Sequence, residues 1–347
     1  MSESLQAQGS RAAAPDRAPT QPGRPARGVL APSALFLARR IAATLVLLAV
    51  MSFLIFSLLY LEPGDIARNL LGTRPVNAQT LAEIRAEYHL NEPFLQQYWT
   101  WLTQAVSGNF GISVQSGQSV SSGIASRLGL TLEVVGFALV LSMLTGIPAG
   151  VFAGIRHGTG ADRAVVGLGV VFVSAPAFAL GLLMLYIFAD DLGWFPVYGT
   201  GSGLGGRIDA LVLPAATLAA GLGGFILKVT RAAVVREVDQ DYVVFARSRG
   251  LSRIQILRLI MRNASLPVLT SLGLTVAYLF GSTLLVEQVY SLPGLGTMLD
   301  NAVLFKDMPV VQALTLLMAA AIAMTALLVD VAYLVLDPRI RHEMAAR

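Results

Sequence analysis

Between residues 241 and 267 the chain carries five arginines, Arg247, Arg249, Arg253, Arg258 and Arg262, around a single glycine, Gly250. Guanidinium groups stay charged and offer fixed forks of donors, so this spacing suits the binding of a partner surface better than bond-making. Reaction chemistry has little support elsewhere. There is no Gly-x-x-x-x-Gly-Lys-Ser/Thr phosphate loop and no His-Glu-x-x-His pair. The chain has no cysteine, and its three histidines, His89, His157 and His342, are scattered. The Gly/Ser-rich stretches 116–119 and 199–206 read as flexible loops rather than a phosphate cradle, and nothing favours a Ser/His or Ser/Lys hydrolase. The expectation is a protein that is not an enzyme, with no cofactor or metal of its own.

Local signals around the arginines predict a helix, a sharp turn and a second helix. Gly250 can take the left-handed conformation that ends the first helix, and Ser252 with Gln255 has the capping-box pattern that opens the second. On the second helix Ile254, Leu257 and Met261 recur at helical spacing, as do Ile256 and Ile260, while Arg258 and Arg262 share another edge. An apolar stripe with a basic edge suits a groove on a partner protein. The same amphipathicity would also suit a helix lying on anionic lipid, and periodicity alone does not separate the two.

The elements that hold this segment are membrane spans. The sequence is 55% hydrophobic and only 13% charged, against about 25% charged for a soluble domain. Six stretches reach the roughly 20 apolar residues a membrane helix needs: 41–61, 131–155, 164–189, 210–230, 266–289 and 310–336. The arginines concentrate before residue 41, at 156–163, at 231–262 and after Asp337, which places both termini and the arginine segment on the cytoplasmic side. The net charge of +4 therefore reads as membrane orientation. Without interleaved aromatics it gives no support to nucleic-acid binding.

Gly146-Ile147-Pro148, Ser174-Ala175-Pro176, Leu213-Pro214 and 221–224 put Gly and Pro inside spans, where neighbouring helices can satisfy the freed backbone groups. Gly146 to Gly150 and Gly221 to Gly224 are candidate packing faces, and Pro148, Pro176, Pro214 and Gly223 are candidate hinges. Glu133 and Glu287 fall near external ends, and Lys228 and Asp330 near cytoplasmic ends, where snorkelling or pairing within the bundle explains them. A proton-coupled carrier would place carboxylates nearer mid-span.

The predicted fold class is an all-α membrane protein with six transmembrane helices. Residues 1–28 form a disordered cytoplasmic tail and 29–61 the first span with its lead-in. Residues 62–130 form an external helical cap, 131–341 a core with five spans and the arginine loop at 231–265, and 342–347 a terminal tail. In the cap, Thr80 with Glu83 reads as a capping box opening a helix over 81–90, and Pro93 opens a second helix through Val106 with Tyr98 and Leu102 on its buried face. The run 41–61 is too long for a secretory signal and lacks a prompt cleavage site. Arg39-Arg40 is an ordinary basic helix end rather than a twin-arginine export signal.

The chain resembles the permease subunits of ABC importers, whose cytoplasmic coupling loop carries Glu-Ala-Ala before a glycine and Leu-Pro after it. Here Val244, Phe245 and Ala246 occupy the Glu-Ala-Ala positions, so the glutamate is missing, and Leu266-Pro267 comes late. The run Ala246-Arg247-Ser248-Arg249-Gly250-Leu251-Ser252 followed by Arg262-Asn263-Ala264 is similar to the dipeptide, oligopeptide and nickel branch. Pro63-Gly64-Asp65 and Tyr88-His89-Leu90-Asn91-Glu92-Pro93-Phe94 with Gln97-Tyr98 match the same branch, as does Gly108-Asn109-Phe110-Gly111. So do Leu192-Gly193-Trp194-Phe195-Pro196, Leu213-Pro214-Ala215, Pro293-Gly294-Leu295-Gly296, Lys306-Asp307-Met308-Pro309 and Leu336-Asp337-Pro338-Arg339-Ile340-Arg341.

The resemblance implies a multi-pass subunit of a bacterial inner membrane that supplies half of a translocation pathway. Its implied partners are a second homologous permease, two ATP-binding subunits carrying ATP and Mg, an extracytoplasmic substrate-binding protein and the lipid bilayer. Ala246, Arg247, Arg249, Gly250, Leu251, Ser252, Ile254, Leu257 and Arg258 would couple to the ATPase. Tyr88, Glu92, Pro93, Gln97 and Tyr98 would meet the binding protein, and Pro293 and Gly294 join the gate candidates. Short peptides are the expected cargo, with nickel chelates, glutathione or oligosaccharides as alternatives within the class. A stand-alone ion-coupled carrier or channel is the rival from another class.

Overall fold

The computed structural model describes residues 30–61, 64–71 and 76–336. The tail 1–28, Pro63, the motif 337–341 and the tail 342–347 lie outside the described residues. The described chain is helical, with one isolated bridge between Ile112 and Ser119. Helix α1 (Leu30–Leu61) leads to the short α2 (Ile66–Asn69), α3 (Ala78–Glu87) and α4 (Phe94–Val106). Then come α5 (Val120–Ile155), α6 (Gly160–Ser174) and α7 (Ala177–Met184), which runs on through π-helical turns to Asp191. The chain closes with α8 (Gly203–Val238), α9 (Asp241–Ser248), α10 (Arg253–Val289), α11 (Leu295–Leu304) and α12 (Met308–Leu336).

Five of these helices, α1, α5, α8, α10 and α12, are long and apolar enough to span a membrane, and α6 with α7 makes six if the pair is one span. That pair is bent by 104°. The segment expected as a span over 164–189 therefore contains a sharp break. Ala175 and Pro176 are both extended, with ψ of 128° and 132°, and the ring of Pro176 disfavours helical geometry at the residue before it. Pro148, Pro214 and Pro267, by contrast, sit inside unbroken α5, α8 and α10.

The core is the α5–α8 pair. Gly146, Gly150 and Gly154 recur every fourth residue on α5, and an added Cβ at each would lie 2.6, 2.7 and 3.2 Å from the carbonyl oxygens of Gly223, Leu227 and Arg231, themselves every fourth residue on α8. Only glycine lets two backbones approach so closely, which gives these helices van der Waals contact along their length. Gly224 meets Gly169 of α6 in the same way, with an added Cβ 2.6 Å from the Gly169 carbonyl oxygen. Gly146, Gly150, Gly223 and Gly224 act as packing faces; Gly221 does not, since only the Phe172 carbonyl oxygen comes near, at 3.7 Å.

The cap is built against α1. Its first helix starts one turn earlier than the Thr80 and Glu83 pattern predicts. Asn77 Oδ1 accepts from Thr80 N at 2.7 Å while Thr80 Oγ1 accepts from Asn77 N at 3.4 Å, and Glu83 is left to accept from Gln79. Helix α4 lays Phe94, Tyr98 and Trp101 on Phe53, Phe56 and Tyr60 of α1, with ring centroids 4.8 to 5.7 Å apart. At the other end of α1, Arg40 pairs with Asp330 of α12.

Candidate functional site

The arginine segment folds as the sequence predicts at its turn and departs from it in the second helix. Helix α9 ends in a glycine cap: Gly250 has φ +74°, Gly250 N donates to Arg247 O at 3.0 Å, and Leu251 N donates to Ala246 O at 3.2 Å. These are the two bonds of a Schellman motif. Ser252 then opens the next helix. Its hydroxyl accepts from Gln255 N at 3.4 Å and its own N–H donates to Gln255 Oε1 at 2.8 Å. The second helix is not a separate piece, because Arg253 begins α10, which runs unbroken through Pro267 to Val289. Of the predicted loop 231–265, only residues 239–252 stand outside the long helices, and the turn is joined rigidly to a membrane helix.

Apolar side chains divide into two faces. Val243 of α9 and Ile260 and Ala264 of α10 are packed with Ala233 and Val234 of α8, and Ala246 is buried as well. Val244, Phe245 and Ile254 point outward, Phe245 being 58% and Ile254 73% exposed. Arg249 lies over the Phe245 ring at 4.5 Å. Beside them an open groove of about 540 Å³ is lined by Arg247, Leu251, Arg253, Ile254 and Leu257 with Ile155. Arg258 is exposed on the same helix, outside that lining. The result is an apolar ridge and groove with cationic rims, held at a fixed angle.

One carboxylate that pattern reading passes over fixes that angle. Glu237 Oε2, at the end of α8, accepts from Tyr242 Oη at 2.7 Å and from Asn263 Nδ2 at 3.2 Å, tying α8, α9 and α10 together. Burial, and then this bond to Glu237, push the Tyr242 hydroxyl above its ordinary pKa, so it stays a donor. A second clamp joins the preceding turn. Asp162 Oδ1 and Oδ2 accept from Arg231 Nε and Nη2 at 2.5 and 2.7 Å, and Asp162 Oδ2 also accepts from Gly158 N at 2.9 Å. The only sequence cue to either is the presence of acids among arginines.

At the opposite end the cap residues divide as well. Gln97 is 6% exposed, donating to Glu92 O at 2.7 Å and accepting from Tyr60 Oη, and Tyr98 is hydrogen-bonded to Ser52 Oγ at 2.9 Å. These two hold the cap on α1. Tyr88 reaches Ile112 O at 3.4 Å, Glu92 faces His89 at 3.0 Å, and Pro93 caps α4. The outward face of α4 is instead Leu95, Trp99 and Val106.

Among the gate candidates, Gly294 is the most constrained. Glu287, fully buried, accepts from Thr131 Oγ1 at 2.6 Å, Gly296 N at 2.7 Å and Thr297 N at 3.1 Å, while Thr131 Oγ1 accepts from Leu295 N at 2.8 Å. A Cβ at Gly294 would lie 2.1 Å from Glu287 Oε1. This network latches α5, α10 and α11 together, and Pro293 is exposed at its edge. Asp307, at the junction of α11 and α12, ties that junction to the loop before α5, accepting from Ser113 Oγ at 2.5 Å, Val114 N at 3.1 Å and Gln115 N at 3.2 Å. Among the described residues no cluster of His, Asp or Glu could hold a metal ion.

Comparison with known proteins gives matches over nearly all of the chain. Residues 146–342 match the family described as binding-protein-dependent transport system inner membrane component, and residues 34–135 match the N-terminal family of such membrane components. A probable peptide ABC transporter permease protein, y4tP, of Sinorhizobium fredii is 34% identical over 312 residues, covering 89% of this chain and 99% of the relative. The glutathione transport system permease protein GsiC of Escherichia coli K12 is 34% identical over 309 residues with the same coverage, and that of Salmonella choleraesuis is 35% identical over 309 residues.

Proposed function

Since the chain belongs to the family of binding-protein-dependent transport system inner membrane components, a multi-pass ABC importer permease that is not itself an enzyme, we propose that it forms half of an inner-membrane pathway for short peptides. ATP binding and hydrolysis take place on two partner subunits, a second permease supplies the other half, and a binding protein delivers cargo to the cap. The arginine end of the bundle faces the cytoplasm. The observation that carries this reading is the Gly250 turn: an exposed apolar ridge of Val244, Phe245 and Ile254 with cationic rims, built onto the end of a membrane helix.

The mechanics rest on rigidity. A push on α9 passes through the Glu237 hub into α8 and through the capped start of α10 into that helix. Helix α8 is packed backbone to backbone on α5, so the three move together. The 104° break at Ala175 and Pro176 is the compliant point. Cargo is a short peptide or glutathione, itself a tripeptide, in line with what the relatives are named for. The outward face of α4, Leu95, Trp99 and Val106, takes the place of Gln97 and Tyr98 as the binding-protein contact.

The test is uptake. Deleting the chain in its native cell should abolish accumulation of labelled dipeptide, and the intact chain should restore it while a Phe245→Asp, Ile254→Asp variant should not. Normal dipeptide and glutathione uptake in the deletion strain would overturn the cargo. Restoration by the double variant would overturn the docking face.

A further inference from the structure

Arg127 sits two turns into α5 at the cap end of the bundle, half-buried on a cavity of about 310 Å³. That volume is at the low end of ligand sites. Its guanidinium reaches only Gly123 O at 3.2 Å and Met298 Sδ at 3.9 Å, and no carboxylate pairs with it among the described residues. The single acid lining the cavity, Asp307, is already committed to Ser113 and to the backbone N–H groups of residues 114 and 115. Asn301 spends its amide on Thr297 O at 2.9 Å.

A guanidinium forfeits much of its hydration when it is drawn half into a cleft, and retains that position at least cost when an anion replaces the water. The rest of the cavity suits a small, polar, chain-like molecule. Ser116, Ser119 and Gln118 bring hydroxyl and amide groups, and Met298 and Val310 form an apolar wall. We propose that Arg127 and this cavity form a carboxylate subsite at the external mouth, which receives the free C-terminal carboxylate of a short peptide as it leaves the binding protein. This rests on the peptide-import reading and assigns part of the selectivity to the permease itself.

The test needs no ATPase subunit. Binding of dialanine and of dialanine amide to the purified full-length chain in lipid nanodiscs is measured by saturation-transfer NMR. The acid should bind more tightly than the amide by about tenfold or more, as a charge-assisted pair would give. Arg127→Lys should keep the preference and Arg127→Gln should remove it. Equal binding of acid and amide, binding of neither, or a preference that survives in Arg127→Gln would each overturn the subsite. Should Arg127→Gln fail to fold, the wild-type acid-to-amide ratio and Arg127→Lys decide. A negative result leaves the importer reading standing, because that depends on the Gly250 face at the other end of the molecule.

Discussion

Replacing Gly250 isolates backbone strain from every other effect. An added Cβ there meets nothing within 4 Å, and the residue has φ +74°. Steric overlap with neighbours therefore contributes nothing, and the cost is that of an L-residue in the left-handed region, about 1–2 kcal/mol. Asparagine tolerates that region, alanine meets the full cost, and a β-branched valine exceeds it. A loss of about 1–2 kcal/mol lowers the ratio of formed to unformed turn by about 5- to 30-fold. Retention of the ATP-binding subunit on the purified complex, measured per permease by quantitative mass spectrometry, should fall in the order Gly, Asn, Ala, Val. The amount of chain in the membrane should not change. Gly117, at φ +67° and equally open in the cap, supplies the control: Gly117→Val strains a turn at the other end and should leave retention intact. A valine variant with undiminished retention, or an asparagine variant as damaged as valine, would refute the argument.

The packing gives three further expected outcomes. Gly150→Leu should destabilise the bundle by several kcal/mol or abolish folding, since even a Cβ would lie 2.6 Å from Thr230 Cβ and overpacking already costs about 1–3 kcal/mol where a core can yield; thermal unfolding in detergent reads it. Thr131→Val should cost about 1–3 kcal/mol, because one hydroxyl serves both Glu287 and Leu295 N, while Thr131→Ser restores it. Ser291, left-handed at φ 51° after α10, should gain up to about 1 kcal/mol on replacement by glycine, seen as a raised midpoint in the same assay.

Much of this architecture is legible in the sequence because its cues are local. Span positions come from hydropathy, the turn from Gly250 with Ser252 and Gln255, and the α5 face from Gly146 and Gly150. Proline is the ambiguous sign. A reader of Leu266-Pro267 ends a helix there, yet α10 continues through it, as membrane helices can when neighbours satisfy the freed carbonyl. The dipeptide Ala175-Pro176 does break the chain, and hydropathy, which measures burial in lipid but not direction, cannot register a 104° bend. The long-range polar links are out of its reach. Glu287 meets Thr131 across 156 residues and Asp307 meets Ser113 across 194, and no spacing rule joins such pairs. Gln97 and Tyr98 show the same limit: a motif marks them, but only the fold reveals that they face α1.

The most direct measurement uses the absence of cysteine from the chain. A single Ile254→Cys substitution, on the most exposed apolar residue of the proposed docking ridge, gives one defined attachment point for a short thiol-to-amine cross-linker in native membranes, and Trp99→Cys gives its counterpart on the cap. The account predicts that Ile254→Cys joins an ATP-binding subunit and that Trp99→Cys does not. Cross-links from Ile254→Cys only to itself or to lipid, with no ATP-binding subunit recovered, would contradict it.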